Sequence, residues 1–210
     1  MTSSPVVAVL DYGIGNLRSA QKALERVGAD ARLTDDADVA DSADAVVLPG
    51  VGAFGACMEA LRSTGLDEVA VRAATDGRPF LGVCVGMQML FEGSEESPGV
   101  DGLGVLSGRL RLLPDTVKRP QMQWNLVDVR RPSRLFATVD DPVWMYFVHS
   151  YAAPADGADV IATCDYGGPV AAAVERGPLW ATQFHPEKSG ITGLEMLRAF
   201  VDAARDGRTT

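Results

Sequence analysis

Residues 79–88 read Pro79-Phe80-Leu81-Gly82-Val83-Cys84-Val85-Gly86-Met87-Gln88. The apolar run before Cys84 favours a buried strand, and the residues after it favour a helix. Gly-x-Cys-x-Gly at such a junction is the cysteine form of the nucleophile elbow, a sharp turn that exposes a nucleophile at the end of a sheet. The segment therefore predicts an α/β sheet with a reactive cysteine at one edge.

A second motif, His185-Pro186-Glu187, lies a hundred residues later and supplies a base and a carboxylate. Pro186 disfavours helix at His185, and in an extended segment residues two apart project to the same side. Glu187 is therefore expected to reach the far ring nitrogen of His185 and fix its tautomer. His185 would take the Cys84 proton and return one to the leaving group, which predicts a Cys84-His185-Glu187 triad. The helix that begins beside Cys84 and a neighbouring imidazolium both favour the thiolate.

The same chemistry requires donors for a developing oxyanion. The amide of Val85, just after the nucleophile, is the usual elbow donor. The glycine-rich turn Pro49-Gly50-Val51-Gly52 follows a predicted strand, and strand ends cluster at one edge of a parallel sheet. Val51 and Gly52 are therefore candidates for the second donor. The flanking glycines would let the peptide unit of Val51 reorient at low cost.

The first half of the chain alternates apolar strands with amphipathic helices, whereas the second half carries short strands separated by Gly, Pro and Asp. This predicts one α/β domain over residues 1–210: a mixed, mostly parallel central sheet with helices on both faces, plus a smaller antiparallel sheet. The predicted strands cover 5–10, 31–33, 44–48, 80–83, 109–113, 124–129, 143–148, 160–164, 171–175 and 179–184. The predicted helices cover 17–27, 53–62, 66–75, the segment from the elbow to about 91, and 192–204.

Composition excludes several classes of function. The chain has 210 residues and a formal net charge of −9, which argues against a nucleic-acid surface. No run approaches ~18 apolar residues, so no membrane span is expected, and the first residues lack the basic segment of a signal peptide. Three widely spaced cysteines fit neither a disulfide framework nor a metal site, which favours the reducing cytoplasm. No metal or cofactor is expected.

Some of these residues have simpler interpretations. Cys57 and Cys164 are expected to be small buried hydrophobes, and His149 is expected to pack at a strand end rather than to catalyse. His-Pro-Glu alone is also compatible with a surface turn. Trp124 and Tyr146 fit either the core or an interface. The joint occurrence of elbow, glycine turn and His-Pro-Glu in this order favours the catalytic interpretation.

With these motifs the whole chain resembles the class I, or triad-type, glutamine amidotransferases. Four further segments are similar to one subfamily, the glutaminase subunit of imidazole glycerol phosphate synthase. These segments are Asp11-Tyr12-Gly13-Ile14-Gly15-Asn16-Leu17, Leu48-Pro49-Gly50-Val51-Gly52-Ala53-Phe54, Trp124-Asn125 and Tyr146-Phe147-Val148-His149-Ser150-Tyr151.

The resemblance implies a flavodoxin-like fold and a glutaminase reaction. Cys84 would attack the side-chain amide of glutamine, His185 would protonate the departing ammonia, and water would cleave the thioester. Substrate binding would fall to Gly50, Gln88, Ser150 and Tyr151. Ammonia would pass to a cyclase subunit, a (β/α)8 barrel that forms a heterodimer with this chain, in the fifth step of histidine biosynthesis. The implied partner interface contains Asn16, Trp124, Asn125, Tyr146 and Lys188.

One segment departs from the subfamily pattern. Where the subfamily commonly has Pro-His-Met-Gly-Trp-Asn, this chain has Pro120-Gln121-Met122-Gln123-Trp124-Asn125. Gln123 replaces a glycine with a long polar side chain, which leaves the identity of the partner open. The alternatives are a glutaminase subunit of a paralogous synthase, a non-catalytic regulatory homologue and a stand-alone thiol hydrolase.

Overall fold

The computed structural model describes residues 4–207 of the chain. In chain order the strands are β1 (Val6–Leu10), β2 (Asp30–Thr34), β3 (Ala45–Gly50), β4 (Phe80–Cys84), β5 (Gly93–Ser94), β6 (Arg109–Leu112), β7 (Gln121–Leu126), β8 (Asp128–Val129), β9 (Trp144–His149), β10 (Tyr151–Ala152), β11 (Val160–Asp165), β12 (Pro169–Arg176) and β13 (Leu179–Thr182). The helices are α1 (Leu17–Arg26), α2 (Ala37–Asp41), α3 (Phe54–Ser63), α4 (Leu66–Thr75), α5 (Val85–Met89) and α6 (Gly190–Gly207). The parts of the domain and signal-peptide predictions that concern residues 1–3 and 208–210 lie outside the described residues.

An eight-stranded sheet forms the centre of the molecule, in the order β2-β1-β3-β4-β13-β12-β11-β8. The five strands from β2 to β13 are parallel, and the last three pair antiparallel at one edge. A three-stranded sheet, β10-β6-β5, and a two-stranded ribbon, β7-β9, lie beside it. The predicted α/β class with a mostly parallel sheet is confirmed.

The parallel strands form where the sequence has continuous apolar runs. Every residue of β3 and β4 is buried, as expected for strands covered on both faces. Helix α1 buries Ala20, Ala23 and Leu24 at helical spacing. The register of β3 with β4 pairs Gly50 with Cys84, so both strands end at the same edge. This pairing places the glycine turn beside the elbow.

Strand β13 determines where the second catalytic motif lies. It runs parallel to β4, with Thr182 opposite Val83. The chain that leaves β13 therefore carries His185 to the sheet edge at which Cys84 ends β4. Helix α6 then packs its apolar face, including Phe200, against the sheet, where Phe200 contacts Trp180 edge-on.

Several predicted strand boundaries are wrong, including the end of the predicted strand 179–184, since β13 ends at Thr182. The predicted strand 124–129 is divided, because Leu126 ends β7 in the ribbon while Asp128 and Val129 join the central sheet as β8. Strand β3 also continues through Pro49 and Gly50 instead of ending before them. Pro49 has no N–H for the sheet, but its carbonyl is satisfied by the hydroxyl of Tyr12, which donates over 2.7 Å.

The sequence pattern does not predict helix α2. Asp36 caps this helix, and its Oδ1 accepts hydrogen bonds from the backbone amides of Asp38 and Val39. Across residues 4–207 no helix is long and apolar enough to cross a membrane. The same residues contain no group of three or more His, Cys, Asp or Glu side chains that could hold a metal ion.

Candidate active site

The elbow at Cys84 is formed by close packing of backbone on backbone. Cys84 has φ 55° and ψ −110°, and it is the one non-glycine residue with positive φ among residues 4–207. A Cβ on Gly86 would lie 1.8 Å from the carbonyl oxygen of Leu48, and a Cβ on Gly82 would lie 3.1 Å from Ala181 Cβ. Residues held in this strained region persist where the surrounding structure fixes them, often at active sites. The two glycines thus allow α5 to pack directly on β3 and β4.

His185 and Glu187 form the predicted hydrogen-bonded pair. His185 Nδ1 lies 2.8 Å from Glu187 Oε1, and both side chains are buried. His185 itself is extended, but Pro186–Lys188 forms a 3₁₀ turn. The expectation that Glu187 reaches the ring along an extended segment is therefore wrong; it reaches the ring by way of the turn. The hydroxyl of Ser189 donates to the His185 carbonyl and holds the turn closed.

The ring of His185 interacts with Cys84 on its other side. Burial alone lowers the pKa of His185, but interactions with Cys84 and Glu187 outweigh burial and raise it from 6.5 to about 9. His185 Nε2 is buried and has no hydrogen-bond partner of ordinary geometry in the described part of the chain. The environment therefore favours an imidazolium at neutral pH, with the positive ring facing the sulfur.

Cys84 and His185 line a cavity of about 430 Å³. The other lining residues are Asn16, Val51, Gly52, Val85, Gln88, Glu96, Pro120, Val148, His149, Ser150, Tyr151 and Lys188. Most of the predicted site residues thus meet in one place. Glu187 and Gly50 are not among the lining residues: Glu187 contacts His185 Nδ1, and an added Cβ on Gly50 in β3 would be 2.7 Å from the Gly86 amide.

Two side chains hold the glycine turn. Besides the Tyr12 hydroxyl, which donates to the Pro49 carbonyl, the Cys57 thiol donates to the Val51 carbonyl over 3.2 Å. Gly52 has φ +92°, a conformation that favours glycine. Within residues 4–207 the amides of Val51 and Gly52 have no backbone acceptor. In the described residues these two N–H groups are therefore not used in backbone hydrogen bonds, and Cys57 is buried as predicted.

One end of the cavity, called here its polar head, contains Gln88 and Glu96, and Gln183 lies behind Gln88. The sequence analysis predicted only Gln88. Gln88 Nε2 donates to the Tyr151 carbonyl over 2.9 Å and to Gln183 Oε1 over 3.0 Å. Glu96 Oε2 accepts from the amide of Phe54, at the start of α3. Neither Gln183 nor Glu96 belongs to a predicted motif. Glu96 lies in a loop with three other Ser and Glu residues around it, which gives no periodic signal.

His149 is buried at the end of β9, as predicted, but it also lines the cavity. Its Nδ1 lies 3.0 Å from the Tyr151 carbonyl, and its Nε2 has no partner in the described residues. Burial lowers the pKa of His149 to about 4, and the charge of His185 adds to this effect. His149 is therefore a neutral ring beside a charged one.

The predicted interface residues separate into three places. Trp124 and Tyr146 pair across the ribbon, with ring centroids 6.2 Å apart, and Trp124 is 48% exposed, so the core interpretation is wrong for it. Asn16 and Lys188 line the cavity. Asn125 lies on the opposite face of the ribbon and donates to the Asp165 carbonyl.

The two residues that depart from the subfamily pattern are also on the ribbon. Gln123 is exposed and lies on the face opposite Trp124. Gln121 is fully buried opposite His149, and its side-chain amide has no hydrogen-bond partner of ordinary geometry in residues 4–207. Neither substitution changes the composition of the cavity wall.

Comparison with known proteins shows the class to which the chain belongs. Residues 8–204 match the family described as glutamine amidotransferase class-I, and the chain belongs to that class of enzymes. A solved structure of a putative GMP synthase protein from Thermoplasma acidophilum has TM-score 0.73 and 18% identity, and covers 100% of this chain and 98% of its own. The structure of PurLQS from Thermotoga maritima has TM-score 0.72 and 21% identity, and the match covers 97% of this chain and 98% of that chain. These two similarities concern the fold alone.

More similar relatives identify the family within this class. "Imidazole glycerol phosphate synthase subunit HisH" of Mycolicibacterium paratuberculosis is 52% identical over 206 residues, covering 96% of this chain and 99% of that protein. The protein of the same name from Syntrophotalea carbinolica is 47% identical, covering 94% and 100%. The chain therefore belongs to the HisH family, the glutamine amidotransferase subunits of imidazole glycerol phosphate synthase.

The close contact at Gly86 gives a stability prediction. We expect Gly86→Ala to destabilise the fold by about 3 kcal/mol, because the new methyl group overlaps the Leu48 carbonyl and neither backbone can move freely. Gly157→Ala is the control, since its Cβ would meet no atom closer than 3.4 Å. Urea unfolding of both variants measures the difference. Equal free energies of unfolding for the two variants would show that the elbow does not require this close approach.

Proposed function

We propose that the chain, as one glutamine amidotransferase domain over residues 1–210, hydrolyses glutamine with Cys84 as nucleophile, His185 as acid and base, and Glu187 as the group that orients His185. The observation that carries the proposal is the position of His185, whose ring bonds Glu187 on one side and faces Cys84 in the cavity on the other. The raised pKa of His185 favours a protonated ring, which can give its proton to the departing nitrogen.

In the proposed reaction, the Cys84 sulfur attacks the carbonyl carbon of the side-chain amide. The oxygen becomes an oxyanion, which we expect the amides of Val85, Val51 and Gly52 to stabilise. Collapse of this intermediate breaks the C–N bond, and the proton of His185 goes to the departing nitrogen, so ammonia leaves and a thioester forms. Neutral His185 then takes a proton from water, which attacks the thioester and releases glutamate and the thiolate.

The polar head of the cavity suits the amino-acid end of glutamine. Glu96 offers a carboxylate and Gln88 an amide oxygen, both acceptors for an ammonium group. The backbone of Ser150 and Tyr151, which also lines the cavity, is proposed to bind the carboxylate. Gly50 is proposed to contribute indirectly, because the absence of a side chain lets the elbow at Val85 and Gly86 pack closely on β3.

Replacement of the sulfur tests the first part of the proposal. We expect Cys84→Ala to lower glutamine hydrolysis by at least about 10³-fold, because no group remains to form the thioester. A glutamine-analogue electrophile should label the wild-type chain at Cys84 alone, since burial raises the pKa of both Cys57 and Cys164. The Cys57→Ala variant serves as the control and should still be labelled. Equal turnover by Cys84→Ala and the wild type would refute the proposed nucleophile.

The ribbon supports a partner surface. Its apolar face consists of Met122, Trp124 and Leu126 on β7, opposite Val148, Tyr146 and Trp144 on β9. Four of these side chains, those of Met122, Trp124, Leu126 and Trp144, are more than 40% exposed. A contiguous exposed apolar patch of this kind is typical of a protein interface.

HisH is named as part of a synthase, and we propose that this apolar face binds the cyclase subunit, a (β/α)8 barrel. Val148 belongs both to the apolar face and to the cavity wall, so a partner seated on the ribbon would lie at the cavity mouth. Ammonia released at Cys84 could then enter the partner without crossing bulk water, and would there complete imidazole glycerol phosphate and aminoimidazole carboxamide ribotide in histidine biosynthesis. The three free cysteines support a reducing compartment, and the cytoplasm is the proposed location.

A pair of matched substitutions tests the partner surface. We expect Trp124→Ala to weaken binding to the cyclase subunit by about 30-fold, the cost of losing a central aromatic contact. Leu112→Ala should change the Kd less than about twofold, because Leu112 has a similar exposure (43%) but lies on β6, outside the ribbon. Calorimetric titration of the two subunits gives both values. Equal weakening by the two variants would place the interface elsewhere.

A further inference from the structure

Gln183 is a fully buried amide at the centre of the site that no motif explains. It follows β13 directly, and its backbone amide donates to the Ala172 carbonyl. Its neighbours in the chain are Thr182 and Phe184, and both are fully buried. A long polar side chain in such surroundings is costly unless its donors and acceptor are satisfied. Its partners therefore indicate why the site holds an amide there.

The Gln183 amide joins two functional groups. Its Oε1 accepts a hydrogen bond from Gln88 Nε2 over 3.0 Å. Its Nε2 donates to the sulfur of Cys84 over 3.8 Å, a long contact of the kind that a large sulfur acceptor allows. One side chain thus contacts both the proposed nucleophile and a proposed substrate-binding residue.

The first of these contacts determines the orientation of Gln88. Gln88 Nε2 carries two N–H groups, which are used on the Tyr151 carbonyl and on Gln183 Oε1. Both partners are acceptors. If the Gln88 amide rotated by 180°, its own oxygen would face the Tyr151 carbonyl and Gln183 Oε1, and both hydrogen bonds would be lost. Gln88 Oε1 is therefore the atom left for the cavity, where it can accept from an N–H group of a ligand.

The second contact acts on the charge of the sulfur. Cys84 Sγ also lies 3.9 Å from the Val148 carbonyl, an acceptor that suits the S–H of a thiol but repels a thiolate. The N–H of Gln183 remains a donor after the proton has gone to His185. Hydrogen bonds to charged acceptors are stronger than those to neutral ones, so this donor favours the thiolate over the thiol.

We propose that Gln183 is a positioning residue with two effects: it fixes the Gln88 amide so that its oxygen faces the ammonium group of glutamine, and it stabilises the Cys84 thiolate. The inference rests on the proposed glutaminase function, since it assigns Gln183 a role in the same site. It predicts that substrate affinity and thiol ionisation are coupled through one amide that never contacts the substrate.

The test uses Gln183→Met, which keeps length and volume but removes both polar atoms. In the complex with the cyclase subunit, we expect KM for glutamine to rise by about tenfold or more, because Gln88 is free to turn over. On the full chain, the midpoint pH of Cys84 alkylation by iodoacetamide, followed by peptide mass spectrometry, should rise, because the sulfur loses the Gln183 donor. Gln121→Met is the matched control, since Gln121 is equally buried but its amide contacts neither Gln88 nor Cys84, and both readouts should stay at wild-type values.

A double-mutant cycle separates the two effects. Gln88→Met should raise KM as much as Gln183→Met does, but leave the alkylation midpoint unchanged, because Gln88 makes no hydrogen bond to the sulfur in the described residues. Adding Gln183→Met to Gln88→Met should raise KM no further, since Gln183 acts on the substrate only through Gln88. Additive effects on KM, or a wild-type alkylation midpoint in Gln183→Met, would overturn the proposal.

A measurement on the unmodified side chain covers the case in which Gln183→Met does not fold. In the ¹⁵N-labelled wild type, the side-chain amide signals of Gln183 should move at the midpoint pH of Cys84 alkylation, and should not move in Cys84→Ala. Signals that stay fixed through that midpoint would overturn the proposal. Failure of the glutaminase proposal itself looks different, because Cys84 would then take no label from the glutamine analogue and Cys84→Ala would retain full turnover.

Discussion

The candidate site depends on the position of the Cys84 sulfur beside the imidazole ring of His185. The register of the central sheet determines this position. Cys84 ends β4, and β13 runs parallel to β4 on one side while β3 does so on the other. The three strands therefore deliver the thiol, the His185 segment and the glycine turn to one edge. A slip of one residue in either pairing would turn alternate side chains to the other face of the sheet. The backbone contact at Gly86 opposes such a slip, because it leaves no space between α5 and β3.

The apolar face of the ribbon and the triad are parts of one framework. The Tyr146 carbonyl accepts from the His185 amide over 2.9 Å, and the Tyr146 amide donates to the Ser189 hydroxyl over 3.0 Å. The same Ser189 hydroxyl donates to the His185 carbonyl. A partner that contacts and displaces Tyr146 would therefore also displace the segment that holds His185. This offers a short physical route by which partner binding can affect the reactivity of Cys84.

The sequence was informative where a function needs adjacent residues. The elbow around Cys84 and the His185-Pro186-Glu187 motif are local, so their residue types and spacing predicted both the fold class and the candidate triad. Glu96 and Gln183 were missed because each acts through contacts with residues far away in the chain, Phe54 and Cys84. The division between β7 and β8 was missed for a similar reason. Strand propensity does not specify which sheet a strand joins, since long-range packing decides it.

Titration of the two histidine rings by NMR tests the interaction between thiol and imidazole most directly. The chain contains only His149 and His185, so two titrations are expected. The structure predicts a pKa of about 9 for His185 and about 4 for His149, which makes His185 positively charged at pH 7.5 in the wild type. In Cys84→Ala the pKa of His185 should fall, because the raising interaction is lost while burial remains. A neutral His185 ring at pH 7.5 in the wild type, or the same titration in both proteins, would contradict the proposed pairing of Cys84 with His185.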